Sequence, residues 1–246
     1  MIFGNQNNQN VFDNLFSKKW RFIILNGYKG IGKHSFIKEY LEDKIYDINL
    51  LFVDNIDNDE ITELNNSYEF NQYRLIIVDQ ADHISEPAQD SLLKITEELN
   101  YIRFIFITND WKVLLPPLQS RIDYLFHWQK LNDQEMNSFI ESQSYSNYEE
   151  IFKLAQGIPL IYSTLIESTE YVSFYHQLSK IDLFEVPDLI LSLKPDQEIP
   201  RYVISHLIRL VAKRQHSIPL LNLAATLIRN PSINPELYWK KAVLEM

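Results

Sequence analysis

Short apolar runs alternate with segments of helical spacing over the first half of the chain. Runs that are apolar on both faces are typical of buried parallel strands. The segments between them place apolar residues three or four positions apart, which predicts amphipathic helices. Strands alternating with helices predict an α/β fold built on a parallel sheet. The predicted strands lie at residues 22–26, 50–53, 73–79, 103–109 and 121–128.

Beyond Lys130 the spacing of apolar residues is helical throughout. Three short helices are predicted first, the second of them ended by Gly157, and prolines separate the helices that follow. The chain therefore divides into a sheet domain, a small three-helix domain and a helical tail. The predicted bounds of these parts are 1–129, 130–169 and 170–246, and the three short helices are predicted at 133–143, 148–156 and 159–169.

Two segments of the sheet domain carry a weaker pattern. Residues 1–10 are rich in Asn and Gln, and we expect them to be frayed, with a short helix over 11–20. Residues 59–68 are polar and predict either a helix or an ordered loop.

A glycine cluster follows the first predicted strand. Gly27, Gly30 and Gly32 are three of only five glycines in the chain, and Gly27, Gly32 and Lys33 fit the phosphate-loop pattern G-x-x-x-x-G-K. Such glycines let backbone N–H groups turn toward phosphate oxygens, which the lysine also reaches. The next position of the pattern requires Ser or Thr to bind magnesium, but here it is His34. Imidazole is a poor magnesium ligand, so the loop is expected to hold phosphates but to hold their metal weakly or not at all.

A second group of polar residues ends the third predicted strand. Asp79 occupies the position at which phosphate-loop ATPases support magnesium, and Gln80 stands where a glutamate usually polarises the attacking water. An amide cannot accept the proton, so hydrolysis is expected to be poor. By itself Asp79 could equally cap the end of a strand, but a phosphate loop 45 residues upstream favours the nucleotide site.

Composition excludes several kinds of protein. Cysteine is absent, which excludes disulfides and cysteine-ligated zinc, and the six histidines are scattered, so no metal site is predicted. The net charge of −10 argues against a protein that grips nucleic acid over its whole surface. Residues 201–246 carry seven Lys and Arg against two acidic residues, which predicts either a contact surface or a solvated helix face. We expect a soluble, cytoplasmic protein.

Four segments resemble a known family. Residues 75–98, LIIVDQADHISEPAQDSLLKITEE, resemble the strand end and following helix of the clamp-loader AAA+ subunits of bacterial replication. Residues 108–110 resemble the tip of the sensor 1 strand, and residues 115–122 resemble the segment ending in Ser-Arg-Cys, with Ile122 in place of the cysteine. Residues 201–246 are more loosely similar to the collar helices. The resemblance implies an AAA+ phosphate-loop sheet domain (1–129), a helical lid domain (130–169) and a C-terminal collar for oligomerisation (170–246).

The positions at which this chain lacks the catalytic residues of the clamp-loader pattern are most similar to those of the delta-prime subunits of DNA polymerase III. His34 and Gln80 replace catalytic groups, and residues 155–162, which resemble the start of the sensor 2 helix, contain no Arg or Lys. The resemblance implies that Arg121 acts as an arginine finger in the ATP site of a neighbouring subunit. A local ion pair, for example with Asp123, is the alternative. The nucleotide-binding residues implied are Gly27, Gly30, Gly32, Lys33, His34, Asp79, Gln80 and Asn109.

The resemblance also implies a set of partners. These are gamma/tau-like and delta-like clamp-loader subunits, a sliding clamp, and primed DNA reached through the complex, with no membrane. The chain would not be a competent ATPase by itself, no cofactor is firmly implied, and ATP or ADP could bind with weak or no magnesium. One alternative is an active AAA+ or other phosphate-loop ATPase of DNA replication or repair. A stand-alone DNA-binding relative is another, and the acidic balance argues against it.

Overall fold

The computed structural model describes most of the chain. The described residues are 3–16, 18–42, 49–54, 74–98, 102–180, 185–193 and 198–229. The predicted helix or loop at 59–68 lies outside them.

Five parallel strands form one sheet in the order β2-β3-β4-β1-β5. The first strand along the chain lies between the last two, so that Leu25 is in register with Ile107 on one side and Phe126 on the other. Each strand matches a predicted one, and the predicted parallel α/β sheet is confirmed. The strands are β1 (Phe22–Gly27), β2 (Asn49–Asp54), β3 (Arg74–Asp79), β4 (Ile102–Thr108) and β5 (Tyr124–Trp128).

Helices and aromatic side chains cover the sheet. The apolar face of the helix that follows β3, formed by Ala88, Leu92 and Ile95, is buried against the strands, as its spacing predicts. Beneath it Phe22 and Phe106 meet edge to face, with ring centroids 4.7 Å apart. The helices of this unit are α1 (Gln6–Phe16), α2 (Lys33–Glu42), α3 (Glu86–Glu98), α4 (Pro116–Gln119) and α5 (Asp133–Ser142).

The prediction of a frayed N-terminus up to residue 10 was wrong, because α1 already begins at Gln6. Side-chain amides hold this segment to the β5 edge. Asn5 both donates to the carbonyl of Gln129, at 3.0 Å, and accepts from its N–H, at 2.7 Å. Asn8 donates to the carbonyl of His127 at 2.8 Å. These Asn residues satisfy backbone groups at the sheet edge, and for this reason the composition was a poor guide to order.

The chain forms two compact units, residues 1–143 with 157–159, and residues 144–156 with 160–246. The second unit is helical in the described residues, as predicted. The last two helices that the structure describes in it pack together, with Leu207 and Leu223 fully buried. No described helix is long and apolar enough to cross a membrane. The described helices beyond residue 144 are α6 (Glu149–Ala155), α7 (Pro159–Glu167), α8 (Glu170–Leu178), α9 (Val186–Ser192), α10 (Glu198–Gln215) and α11 (Ile218–Arg229).

Candidate functional site

The predicted phosphate loop connects β1 to α2. β1 ends at Gly27 and α2 begins at Lys33, so the loop leads from the carboxyl end of a central strand into a helix N-terminus. Gly30 (φ +77°) and Gly32 (φ +97°) adopt backbone conformations that favour glycine. The structure therefore has the strand, loop and helix that the phosphate-loop pattern predicts.

Lys33 lies inside this loop and is only 5% exposed. Its ammonium donates to the carbonyl oxygens of Gly27, at 2.5 Å, and Tyr28, at 2.7 Å. Burial lowers the pKa of Lys33 to about 8, although the carboxylates of Asp79 and Asp82 act in the opposite direction. The side chain remains mostly protonated at neutral pH, and its charge can serve an anionic ligand that displaces the two carbonyls.

His34 contacts the carboxylate that would support a metal. Its Nδ1 lies 2.7 Å from Asp79 Oδ2, while Asp79 Oδ1 accepts a hydrogen bond from the Gln80 N–H at 2.8 Å. Burial acts to raise the pKa of Asp79, but hydrogen bonds from His34 and Gln80 and the charges of His34 and Lys33 outweigh it, so the pKa lies below its usual value. Both carboxylate oxygens thus already have protein partners.

These residues do not fit magnesium, which requires oxygen ligands in near-octahedral geometry. The hydroxyl of the usual pattern is replaced by imidazole, and that imidazole is bonded to the one acidic ligand expected. Among the described residues, no three His, Cys, Asp or Glu side chains gather closely enough to hold a metal ion. A phosphate could still be held by the loop and Lys33.

Asp82 fixes the tip of the neighbouring strand, a role that the sequence did not reveal. Its carboxylate accepts hydrogen bonds from the Asn109 N–H at 3.2 Å, the Asn109 side-chain amide at 3.1 Å and the Thr108 hydroxyl at 3.2 Å. Asn109 is therefore held at the same edge of the sheet as the phosphate loop. Gln80 has a left-handed backbone (φ +51°), which directs the chain from β3 into the turn that carries Asp82. The sequence feature that could have indicated this role is a pair of acidic residues, Asp79 and Asp82, three positions apart.

Arg121 lies at the opposite, amino-terminal edge of the sheet, just before β5. Its guanidinium pairs with Glu97 of α3 and donates to the Pro117 carbonyl at 3.1 Å. Asp123, the partner considered from the sequence, instead accepts hydrogen bonds from the N–H groups of Arg21, at 2.6 Å, and Phe22, at 2.9 Å. A local ion pair of Arg121 does exist, but with a different carboxylate.

A cleft of about 360 Å³ opens beside this ion pair. Its lining includes Phe22, Ile102 and Phe104, which are buried side chains of the sheet core, together with Glu97 and Arg121. Arg121 is 29% exposed and so is accessible from solvent.

The segment that resembles the sensor 2 helix start is residues 155–162. α6 ends at Ala155, and Gln156 (φ +49°) and Gly157 (φ +74°) form the left-handed turn before α7. The Gly157 carbonyl accepts a hydrogen bond from the Leu131 N–H at 2.9 Å. As predicted, the helix ends before Gly157, and the segment offers no cation.

Comparison with known sequences gives one family. The model of a family described as "DNA polymerase III, delta subunit" matches residues 37–131. This range includes Asp79, Asn109 and Arg121 and begins after the phosphate loop. No curated protein matches the chain.

Solved structures share the fold at low sequence identity. A DNA polymerase III gamma subunit-related protein from Thermotoga maritima is 15% identical with a TM-score of 0.51, and the alignment covers 96% of this chain and 97% of that one. The RuvB Holliday junction branch migration motor of Thermotoga maritima is 15% identical with a TM-score of 0.59, covering 99% of this chain and 88% of that one. The family model thus matches part of the sheet-containing unit, and the solved structures show that the chain shares their fold.

Proposed function

We propose that this chain is a delta-prime-like subunit of a DNA polymerase III clamp loader. In this role it hydrolyses little or no ATP itself and supplies Arg121 to the ATP site of a neighbouring subunit. There the guanidinium would stabilise negative charge on the transferring phosphoryl group. Arginine suits this task because it is permanently charged and presents several N–H donors in a fixed plane.

The observation that carries the proposal is the separation of Arg121 from the chain's own phosphate loop. The loop follows the carboxyl end of β1, and Arg121 lies at the amino ends of β1 and β5. β1 has six residues and spans roughly 20 Å, a distance that an arginine side chain cannot cross. A phosphate bound in the chain's own loop is therefore out of reach of Arg121, which leaves this arginine available to a neighbouring subunit.

The weak hydrolysis rests on three features of the chain's own site. The Asp79 carboxylate is bonded to His34 and to the Gln80 N–H. Gln80 stands where a general base is expected, and residues 155–162 offer no sensor 2 cation. Each feature removes a different contribution to phosphoryl transfer, namely metal support, water activation and charge stabilisation.

The proposal includes its partners. The ring would contain gamma/tau-like and delta-like subunits, and the assembly would open a sliding clamp and close it around primed DNA in the cytoplasm. ATP or ADP could occupy the loop around Lys33 with weak or no magnesium. A mainly acidic chain is compatible with this role if DNA contact falls to the neighbours.

Affinity purification of the tagged full chain from its own host at mild salt, with mass spectrometry, tests this assignment. The expected result is recovery of AAA+ subunits with intact Gly-Lys-Thr or Gly-Lys-Ser loops together with a sliding clamp or a polymerase subunit. Recovery of the chain alone would contradict the assignment to a loader complex.

A second candidate is an active AAA+ ATPase of DNA replication or repair. It is favoured by Lys33, which the loop holds in place, and by Asp79 at the expected strand end. Magnesium-dependent ATP turnover by the isolated chain, abolished in Lys33→Ala, would support it. The proposed function predicts little or no turnover by the isolated chain.

A further inference from the structure

The Arg121 guanidinium is held from two sides by its own subunit. Glu97, near the end of α3, pairs with Nη2, and the carbonyl of Pro117, in α4, accepts from Nη1 at 3.1 Å. The two acceptors come from different helices, so together they define both the position and the plane of the guanidinium.

These contacts leave the guanidinium able to bind a second anion. A guanidinium has five N–H donors in one plane. Glu97 and Pro117 each accept one hydrogen bond, and the described part of the chain shows no further acceptor for Arg121. Three donors are therefore available, and two of them suffice for a bidentate contact with a phosphate.

We propose that Glu97 is a positioning residue for Arg121, an inference that rests on the proposed role of Arg121 in a neighbour's ATP site. An arginine side chain that is free to move samples many rotamers, and it loses that conformational entropy when it binds a phosphate. Glu97 and the Pro117 carbonyl restrict them beforehand. The cleft beside Arg121 leaves room for a phosphate of the nucleotide that the neighbouring subunit binds.

The expected effect of losing the Glu97–Arg121 ion pair depends on how exposed Glu97 is to solvent. Glu97 is 58% exposed, so its ion pair with Arg121 is only partly shielded from water. Such pairs are weak, and loss of the pair should lower turnover of the complex about two- to fivefold, far less than loss of Arg121 itself. The loss should appear in kcat, because the contact matters once the transition-state charge develops.

The test is a double-mutant cycle on ATP turnover by the assembled loader complex. It compares wild type, Glu97→Gln, Arg121→Ala and the double variant, with Glu97→Asp as a rescue. Glu149→Gln is the matched control, because Glu149 is also exposed and pairs with a cation, Lys153. Assembly by size-exclusion chromatography and the unfolding midpoint are measured for each variant.

The positioning role predicts that Glu97→Gln lowers kcat with KM unchanged, that Glu97→Asp restores part of the loss, and that Glu97→Gln has no further effect in the Arg121→Ala background. A low turnover for Arg121→Ala with a normal one for Glu97→Gln overturns the positioning role and leaves the proposed function standing. A higher turnover for Glu97→Gln also overturns it, since Glu97 would then compete with the phosphate. A normal turnover for Arg121→Ala overturns both the positioning role and the proposed function.

Discussion

The Nδ1 atom of His34 lies 2.7 Å from Oδ2 of Asp79, within the loop and strand end where related ATPases hold magnesium. Because this imidazole bonds the expected metal ligand, we expect any nucleotide binding by the loop to be insensitive to magnesium. We therefore predict that binding of a fluorescent ADP or ATP analogue by the isolated chain is the same in Mg²⁺ as in EDTA, including the case in which binding is undetectable in both.

His34→Thr is the companion variant. It restores the usual hydroxyl and frees the Asp79 carboxylate, so we expect nucleotide affinity to become magnesium-dependent by about tenfold or more, or about 1.4 kcal/mol. Wild-type binding that strengthens tenfold on adding Mg²⁺ would show that His34 does not block the metal.

Lys33 gives a prediction for stability against pH. Burial lowers its pKa to about 8 from an ordinary 10.5, so between these values the unfolded chain binds more protons than the folded one. Stability therefore increases with pH across this window. Relative to Lys33→Met, the wild type should gain free energy of unfolding between about pH 8 and pH 10.5, by up to about 1.4 kcal/mol per pH unit.

Urea unfolding of both proteins at several pH values measures this difference. Lys153→Met, which removes a well-exposed lysine, is the control for the loss of a lysine charge. A difference between wild type and Lys33→Met that stays constant from neutral to alkaline pH would contradict the burial of a charged Lys33.

Gly157 gives a prediction about the turn between α6 and α7. A Cβ at this position would lie 2.2 Å from the Leu131 carbonyl oxygen, and the backbone has φ +74°. At Gly32 φ is also positive, but a Cβ would meet no atom within 4 Å. Gly157→Ala should therefore lower the free energy of unfolding by about 2 kcal/mol more than Gly32→Ala. Equal losses in thermal unfolding would count against the close approach.

Substitutions in α10 and α11 distinguish an effect on stability from an effect on assembly. Leu207 is fully buried, so Leu207→Ala should cost about 2–5 kcal/mol of the free energy of unfolding. Ile218, at the start of α11, is 70% exposed, and Ile218→Ser should change stability by no more than about 0.5 kcal/mol. If residues 170–246 form a collar, Ile218→Ser should instead weaken assembly. Unfolding curves and size-exclusion chromatography of the complex distinguish these effects, and a stable Leu207→Ala variant would argue against the packing.

The strands and the phosphate loop could be predicted because their signals are local. A buried strand such as β4 is an apolar run in any context, and the glycines of the loop reflect backbone needs of a few neighbouring residues. Asp79 could be placed for the same reason, since the carboxyl ends of parallel strands meet at one edge.

The ion pairs could not be predicted, because they depend on side-chain positions far apart in sequence. Arg121 and Glu97 are 24 residues apart, and His34 and Asp79 are 45 apart. From the sequence, Asp123 was the nearer carboxylate to Arg121, but it is engaged by backbone N–H groups at the start of β1. The start of α1 was missed because tertiary contacts with β5, rather than helix propensity, order it.

The role of Arg121 in a neighbour's ATP site is tested by ATP turnover of the assembled loader complex containing Arg121→Ala. Lys153→Ala, which removes an exposed cation elsewhere in the chain, is the control, and assembly of both complexes is checked first. We predict that Arg121→Ala assembles normally and lowers turnover of the complex, by about a thousandfold at the one site that Arg121 serves, while Lys153→Ala turns over ATP as the wild type does. Unchanged turnover in a fully assembled Arg121→Ala complex would contradict the proposal that this chain supplies an arginine to its neighbour.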